Sequence, residues 1–350
     1  MNDKLKFCLN IGTLFLLFGV IFLFGRYGSG YQIRILNDIG IFITLAVSYN
    51  LVNGVCGLLH LGPNGFIAIG AYTSALLSMT PAEKELNFIL DHVIWPLSVI
   101  QLPFAVSLLA AGFMAALFAF FISFPVLRVR GDYLAIVTLG FGEVVRVLCN
   151  AGQSVTNGPL GLKGLYPHTN LWWSWGVAAL AVIVIKKLID SNYGLAMKAI
   201  REDETAARAM GVDPFRRLML AFLISAFFSG IAGGLLAHLI TTISPGLFTF
   251  VLTFNLLIII VVGGLGSTTG AVIGAVLFAW GGEALRIVER PMQMGSFTIP
   301  GIPGMRMVIF SLILMLVILF ARKGIMGRRE LSWSFLASKF AELKGTQTHQ

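Results

Sequence analysis

Few residues in this chain have the type and spacing that chemistry needs. Glu143 and Arg146 stand at i and i+3 inside an apolar run, a separation that places both side chains on one helix face. A lone charge at such a depth is costly and an opposite pair is tolerated, so the two read either as an internal ion pair or as a charged couple facing a solute path. Asn50, Asn53, Asn64, Thr138, His238 and Asn255 add polar groups to other apolar segments, where the ordinary role is a hydrogen bond from helix to helix. A proton relay would need several acidic or histidine groups at a shared depth, and only Glu143 and His238 come close. Asp91 and His92 join Glu83 and Glu85 in a polar loop that is either a solvated face or a contact for a partner. No HExxH, GxSxG or carboxylate-rich metal cluster occurs, which leaves catalysis without a constellation and a metal without ligands. The GxxxxGK[ST] phosphate cradle is missing too, so the chain does not bind ATP by itself.

These polar groups must be positioned by elements that live in lipid. With 350 residues, 57% hydrophobic and 12% charged, and a mean hydropathy of +0.87, the chain has too few charges to coat a soluble globule. A hydrocarbon core of roughly 30 Å takes about 20 apolar residues per helix, so the length allows on the order of ten crossings joined by short loops. Hydropathy and turn residues predict spans near 7–24, 35–59, 63–79, 99–125, 133–150, 171–189, 218–240, 250–265, 268–285 and 305–321. This is an all-α polytopic membrane protein of about ten transmembrane helices. The net charge of +9 could suit nucleic acid only on a soluble basic face, whereas here the basic residues cluster beside the spans. On alternating sides, 17 of the 25 Lys and Arg fall with the N-terminus, among them Lys4, Lys6, Arg128, Arg130 and the basic residues of 186–217 and 322–344. The positive-inside rule then puts both termini in the cytoplasm. Lys4 and Lys6 before the apolar run 7–24 resemble a signal peptide, but the following GRYGSGY has no A-x-A-like cleavage site, and an uncleaved first helix is expected. Cys8, Cys56 and Cys149 stand far apart without metal-ligand spacing and read as packing residues.

Two Gly-rich breaks interrupt long apolar segments, GLLHLGPNG at 57–65 and GGLGSTTG at 263–270. Each precedes a small-residue helix start, FIAIGAYTSALL and AVIGAVLFAW, which reads either as a weak internal repeat or as small-residue packing common to membrane helices. The longest polar segment, SNYGLAMKAIREDETAARAMGVDPFRR at 191–217, cannot sit in lipid. Its pattern predicts a short amphipathic helix at about 195–213, broken near Gly211 and stopped by Asp213-Pro214. Small residues on one face suit a groove on a soluble partner, or the segment is an ordinary solvated loop helix.

Here the sequence resembles a known family. TAARAMG is similar to the EAA-xxx-G motif through which ABC importer permeases dock on their ATPases, with Thr205 where that motif has Glu and with Glu202 and Glu204 close by. The resemblance implies that Glu202, Glu204, Thr205, Ala206, Ala207 and Gly211 form the ATPase-coupling contact. It covers nearly the whole chain and is most specific to the LivM-type permease of branched-chain amino acid importers. The blocks that carry it are YNLVNGVCGLLHLGPNGFIAIGAYTSALL (49–77), DYLAIVTLGFGEVVRVL (132–148), TNGPLGLKGL (156–165), AIREDETAARAMG and VVGGLGSTTGAVIGA (261–275). In the third block Leu160 replaces a residue that is commonly polar in the family.

What the resemblance implies is an ABC importer permease architecture in the bacterial cytoplasmic (inner) membrane. Residues 1–330 would form the transmembrane permease domain and 331–350 a cytoplasmic tail. The partners would be a LivH-type sister permease, two ATPase subunits that use ATP and Mg, and a periplasmic substrate-binding protein. The cargo would be branched-chain amino acids, with urea or short-chain amides as the alternative and an ion-coupled carrier or an intramembrane enzyme as readings from other classes. Asn53, Asn64, Thr138, Glu143, Arg146, Asn157 and Asn255 are the candidate pathway or helix-packing residues.

Overall fold

The computed structural model describes residues 25–285 except 89, 90 and 129–131, together with isolated positions between 12 and 23 and between 305 and 319, the backbone of 292–294 and 297–299, the turn 324–327 and Glu330. The expected spans 7–24 and 305–321 and the tail 331–350 lie wholly or mostly outside the described residues. The described α-helices of more than one turn are α1 (Gly30–Asn50), α2 (Pro63–Ser78), α3 (Pro81–Asn87), α4 (Phe104–Val126), α5 (Asp132–Ala151), α6 (Leu171–Ile189), α7 (Asn192–Glu202), α8 (Glu204–Ala209), α9 (Pro214–Ile240), α10 (Phe250–Gly263) and α11 (Thr268–Ala284), with a single turn at Gln153–Thr156. Six stretches, each based on one of these helices, are long and apolar enough to cross a membrane. By these criteria α2 and α11, with 16 and 17 residues, fall just short.

Local chemistry sets the boundaries. A capping box between Ser29 and Gln32 starts α1 at Gly30, five residues before the expected position. Its last turn widens into a π-helix over Leu51–Val55, closed by Cys56 N–H on the Leu51 carbonyl at 3.1 Å. Asp213 caps α9 and Pro214 occupies its first turn, so this helix begins at 214 and not at 218. The segment 250–285 is two helices, with the elbow Gly264–Ser267 between them. The polar helix is also two, because the Asp203 carboxylate accepts from Thr205 and Ala206 N–H at 2.8 and 3.0 Å and starts a new helix where one continuous element was expected.

Small residues let the backbones meet. A Cβ on Gly70 of α2 would lie 2.1 Å from the Gly230 carbonyl oxygen of α9, and one on Gly233 would lie 2.2 Å from that of Ile67. A Cβ on Gly230 would lie 2.6 Å from the Ala111 carbonyl oxygen of α4, so α2, α4 and α9 form one block. At one end of the bundle lie Arg128, Lys186, Lys187, Lys198, Arg201, Arg208, Arg216 and Arg217; Arg26, Arg34, Lys84 and Lys163 lie at the other.

Two long helices, α1 and α9, are each followed by a stretch without α-helix and then a short helix. Residues 56–62 lead into α2, about 24 Å long at 1.5 Å per residue, and 241–249 lead into α10, about 21 Å long. Because α1 and α9 run in opposite directions, these units have inverted orientation. In element order, 241–249 takes the place after α9 that 56–62 takes after α1. The second break is anchored by Thr242–Ile243 (β2), which pair antiparallel with Leu162–Lys163 (β1).

Gly233→Leu is expected to lower the thermal midpoint of the detergent-purified chain, because a side chain there meets backbone. Gly176→Leu, at a site with nothing within 4 Å of a Cβ, should leave the midpoint unchanged. Fluorescence-detected size exclusion after a heating series reads both.

Candidate functional site

The polar helix pair projects from the basic end of the bundle. Gly194, Met197 and Ile200 of α7 are buried against the transmembrane helices, as is Ala207 of α8. Thr205, Ala206, Ala209 and Gly211 are exposed, and Met210 is 84% exposed. Of the six residues expected to touch a partner, Ala207 thus faces its own chain. The others are exposed or half-buried, with Glu204 paired to Arg208 and Glu202 to Arg201. Gly211 has φ +81°, a left-handed conformation that favours glycine, and it turns the chain into Asp213. Met210 was legible only as one of the apolar positions of an amphipathic helix; its exposure depends on how the pair packs.

Inside the bundle, the two breaks meet. Asn64, in the first turn of α2, donates from Nδ2 to the Phe248 carbonyl just before α10, at 3.2 Å. Thr138 of α5 receives Leu61 N–H at 2.9 Å and donates to Ala135. The His60 carbonyl accepts from Tyr49 Oη at 2.6 Å and from Asn53 Nδ2 at 3.2 Å, and its ring packs edge-on against Phe222. A Cβ on Gly142 would strike the Asn64 carboxamide at 2.1 Å, so glycine there permits α5 to close on the node. Asn53 Oδ1, Asn64 Oδ1, His60 Nδ1 and Thr253 Oγ1 are buried with no hydrogen-bond partner among the described residues.

The structure brings Asn64 and Thr138 into this node, and Glu143 follows Gly142 beside it. Glu143 and Arg146 form the i, i+3 ion pair at 2.7 Å, with side chains 32% and 36% exposed. Asn255 is half-buried on α10. Asn157 is elsewhere, in the loop at the opposite end. With φ 59° it donates to the Asn87 and Gly161 carbonyls at 2.9 and 2.7 Å and shapes the turn before β1. His238 is an interior histidine held by Ser78 and the Tyr166 carbonyl. In the same outer loops the buried Lys84 ammonium donates to the Leu97 and Ile100 carbonyls, and burial lowers its pKa from the usual lysine value. No group of three or more potential metal-ligating side chains occurs among the described residues.

A bundle of long apolar helices, two of them followed by breaks that meet inside it, with a polar helix pair at one end, is the architecture of a multi-pass membrane protein. Residues 31–322 match the family described as branched-chain amino acid transport system / permease component, and the chain belongs to that family. The high-affinity branched-chain amino acid transport system permease protein LivM of Escherichia coli (strain K12) is 37% identical over 280 residues, 70% of this chain and 61% of the relative. The probable branched-chain amino acid transport permease protein LivM of Methanocaldococcus jannaschii is 22% identical over 342 residues, 87% of this chain and 96% of the relative. LivH of Escherichia coli (strain K12), a high-affinity permease protein of the same description, is 30% identical over 157 residues, 45% of this chain and 47% of its own. The chain spans about three fifths of the length of the LivM relatives from Escherichia coli and Salmonella typhimurium. No solved structure matches it.

Removing one partner of the Glu143–Arg146 pair leaves a half-buried charge alone. Arg146→Ala is therefore expected to destabilise the purified chain more than the double change Glu143→Ala/Arg146→Ala. A double-mutant cycle on thermal unfolding should give a coupling of about 0.2–1 kcal/mol, the range of partly exposed ion pairs on one helix.

Proposed function

We propose that this chain is a translocation subunit of an ATP-driven ABC importer, working with a sister permease of LivH type to pass branched-chain amino acids across a bacterial inner membrane. Hydropathy supports about ten crossings, and the distribution of basic residues along the sequence supports both termini in the cytoplasm. The observation that carries the reading is the surface of α7 and α8. It is a polar helix pair outside the apolar bundle, seated on it through Met197, Ile200 and Ala207, and presenting Thr205, Ala206, Ala209 and Met210 outward. An exposed apolar side chain among small ones suits a hydrophobic anchor entering a groove on each ATPase–permease contact. Two ATPases supply ATP and Mg chemistry, and a periplasmic binding protein delivers the solute.

The solute would cross beside α5 and the junction of the two breaks. Backbone that leaves helical pairing inside a bilayer needs side-chain or solute partners, and the unpartnered oxygens of Asn64 and Thr253 lie in or near the short helices concerned. Closing and reopening of the ATPases would drive the alternation of access. The printed names of the relatives favour branched-chain amino acids over urea or short-chain amides.

The deciding experiment is uptake of labelled leucine, with labelled urea in parallel, into vesicles holding this chain with its co-encoded ATPases, sister permease and binding protein. ATP-dependent leucine uptake is expected; ATP-dependent urea uptake alone would replace the cargo, and uptake by this chain alone without ATP would overturn the importer reading. Met210→Asp is expected to leave the chain folded and in the membrane while reducing ATPase co-purification by about tenfold or more, the scale of losing one buried interface anchor. Ala207→Asp should instead damage the chain itself, which size exclusion distinguishes.

A further inference from the structure

At the basic end of the bundle, two side chains tie the polar helix pair to the π-turn that ends α1 and, through it, to the α10–α11 elbow. The Arg201 guanidinium, at the end of α7, donates from Nη1 to the Gly54 carbonyl at 2.6 Å, an acceptor within the π-turn that ends α1. Two glycines keep its space open, and a third lets the π-turn close on the elbow. A Cβ on Gly57, whose φ is +72°, would lie 2.3 Å from Arg201 Cγ; one on Gly266 would lie 3.1 Å from Nη1; and one on Gly54 would lie 2.4 Å from the Gly266 nitrogen. Asn50, one turn before Gly54, then brackets the α10–α11 elbow. Its Oδ1 accepts from Gly266 N–H at 2.9 Å and its Nδ2 donates to the Ser267 carbonyl at 3.1 Å, with the residue 1% exposed. Ser267 caps α11, and the Glu330 carboxylate accepts from the next two N–H groups, of Thr268 and Thr269.

We propose that Arg201 and Asn50 are the positioning residues that transmit movement of the α7–α8 pair into the membrane, Arg201 to the α1–α2 unit and Asn50 onward to the α10–α11 unit. The single bond from Arg201 and the paired bonds of Asn50 hold direction as well as distance, which a sliding apolar contact does not. The first link ends just before the 56–62 break, and the elbow held by the second is joined through α10 to the 241–249 break, so one displacement at the helix pair is passed to both units. The assignment rests on the importer reading. The bulk of the α7–α8 contact with the bundle is apolar and keeps the pair seated when a link is cut.

The test uses the full assembly in proteoliposomes and compares Arg201→Met, Asn50→Ala and the wild type for ATPase co-purification, ATP hydrolysis and ATP-driven leucine uptake. Both variants are expected to hold ATPase at the wild-type ratio, to hydrolyse ATP within about twofold of wild type and to move about tenfold less leucine per ATP. Arg201→Lys, which restores one donor, should recover part of the loss in Arg201→Met. A wild-type leucine-to-ATP ratio in either assembled variant overturns the assignment. So does loss of ATPase co-purification in both, which would make the links a structural clasp. If the wild type itself shows no ATP-driven uptake of leucine or urea, the importer reading falls and the assignment with it; normal wild-type coupling with normal variants removes the assignment alone.

Discussion

The constraint on which this structure depends is that a peptide group inside hydrocarbon must find its hydrogen bond within the protein. Helices meet it automatically, and among the described residues the chain leaves α-helical geometry between paired membrane helices chiefly at 56–62 and 241–249. At both, side chains take over. Tyr49, Asn53 and Thr138 satisfy His60 and Leu61, and Asn64 reaches across to Phe248. The polar residues scattered through the apolar sequence are therefore largely the substitutes for a missing ladder. Each interhelical bond of this kind is worth about 0.6 kcal/mol on average. Together they fix where the short helices begin, and with that where the membrane-embedded backbone is least committed to its own pairing.

Much of this was legible in the sequence because hydrophobic length and turn chemistry act locally. The bounds of α2, α5, α6 and α11 fall within a residue or two of expectation, and the elbow at Gly264–Ser267 splits 250–285 as its glycines suggest. The Glu143–Arg146 pair follows from helical spacing alone. Other features depend on partners far along the chain. That Asn64 serves a carbonyl 184 residues away, or that Asn50 serves Gly266 and Ser267, leaves no local mark beyond a polar residue in an apolar run. The break at Asp203 was hidden for a different reason. An Asp before Glu-Thr-Ala is a good cap, but the amphipathic period continues through it and favours a single helix. Ala207 and the exposed Met210 differ by less than one helical turn, and only the seating of the pair decides which of them faces solvent.

The glycines divide along similar lines. Gly70, Gly230 and Gly233 admit close backbone contact between helices that run through the interior, whereas Gly54, Gly57 and Gly266 make room for one guanidinium and the π-turn it binds. The first set belongs to packing that any compact membrane bundle needs. The second serves a polar junction at the end of the bundle, where α7, α1 and the elbow come together, and the glycine-rich stretches of the sequence mix the two without distinguishing them.

The unequal burial of the helices has a consequence for how this chain can change over generations. In the α1 stretch 30–55 and in α9, 78% of the most apolar window is enclosed by the chain itself, against 28–33% for α4, α5, α6 and the α10 stretch. Enclosed helices that touch backbone to backbone can accept few new side-chain volumes. The outer helices, with rows of exposed residues such as Phe113, Phe121, Ile136 and Leu148, can exchange one apolar residue for another as long as lipid or a neighbouring subunit is the only thing they meet. Drift should therefore be slow along a two-helix axis and fast around it, so that related chains come to share an interior while differing in the surface each offers to its membrane and its neighbours.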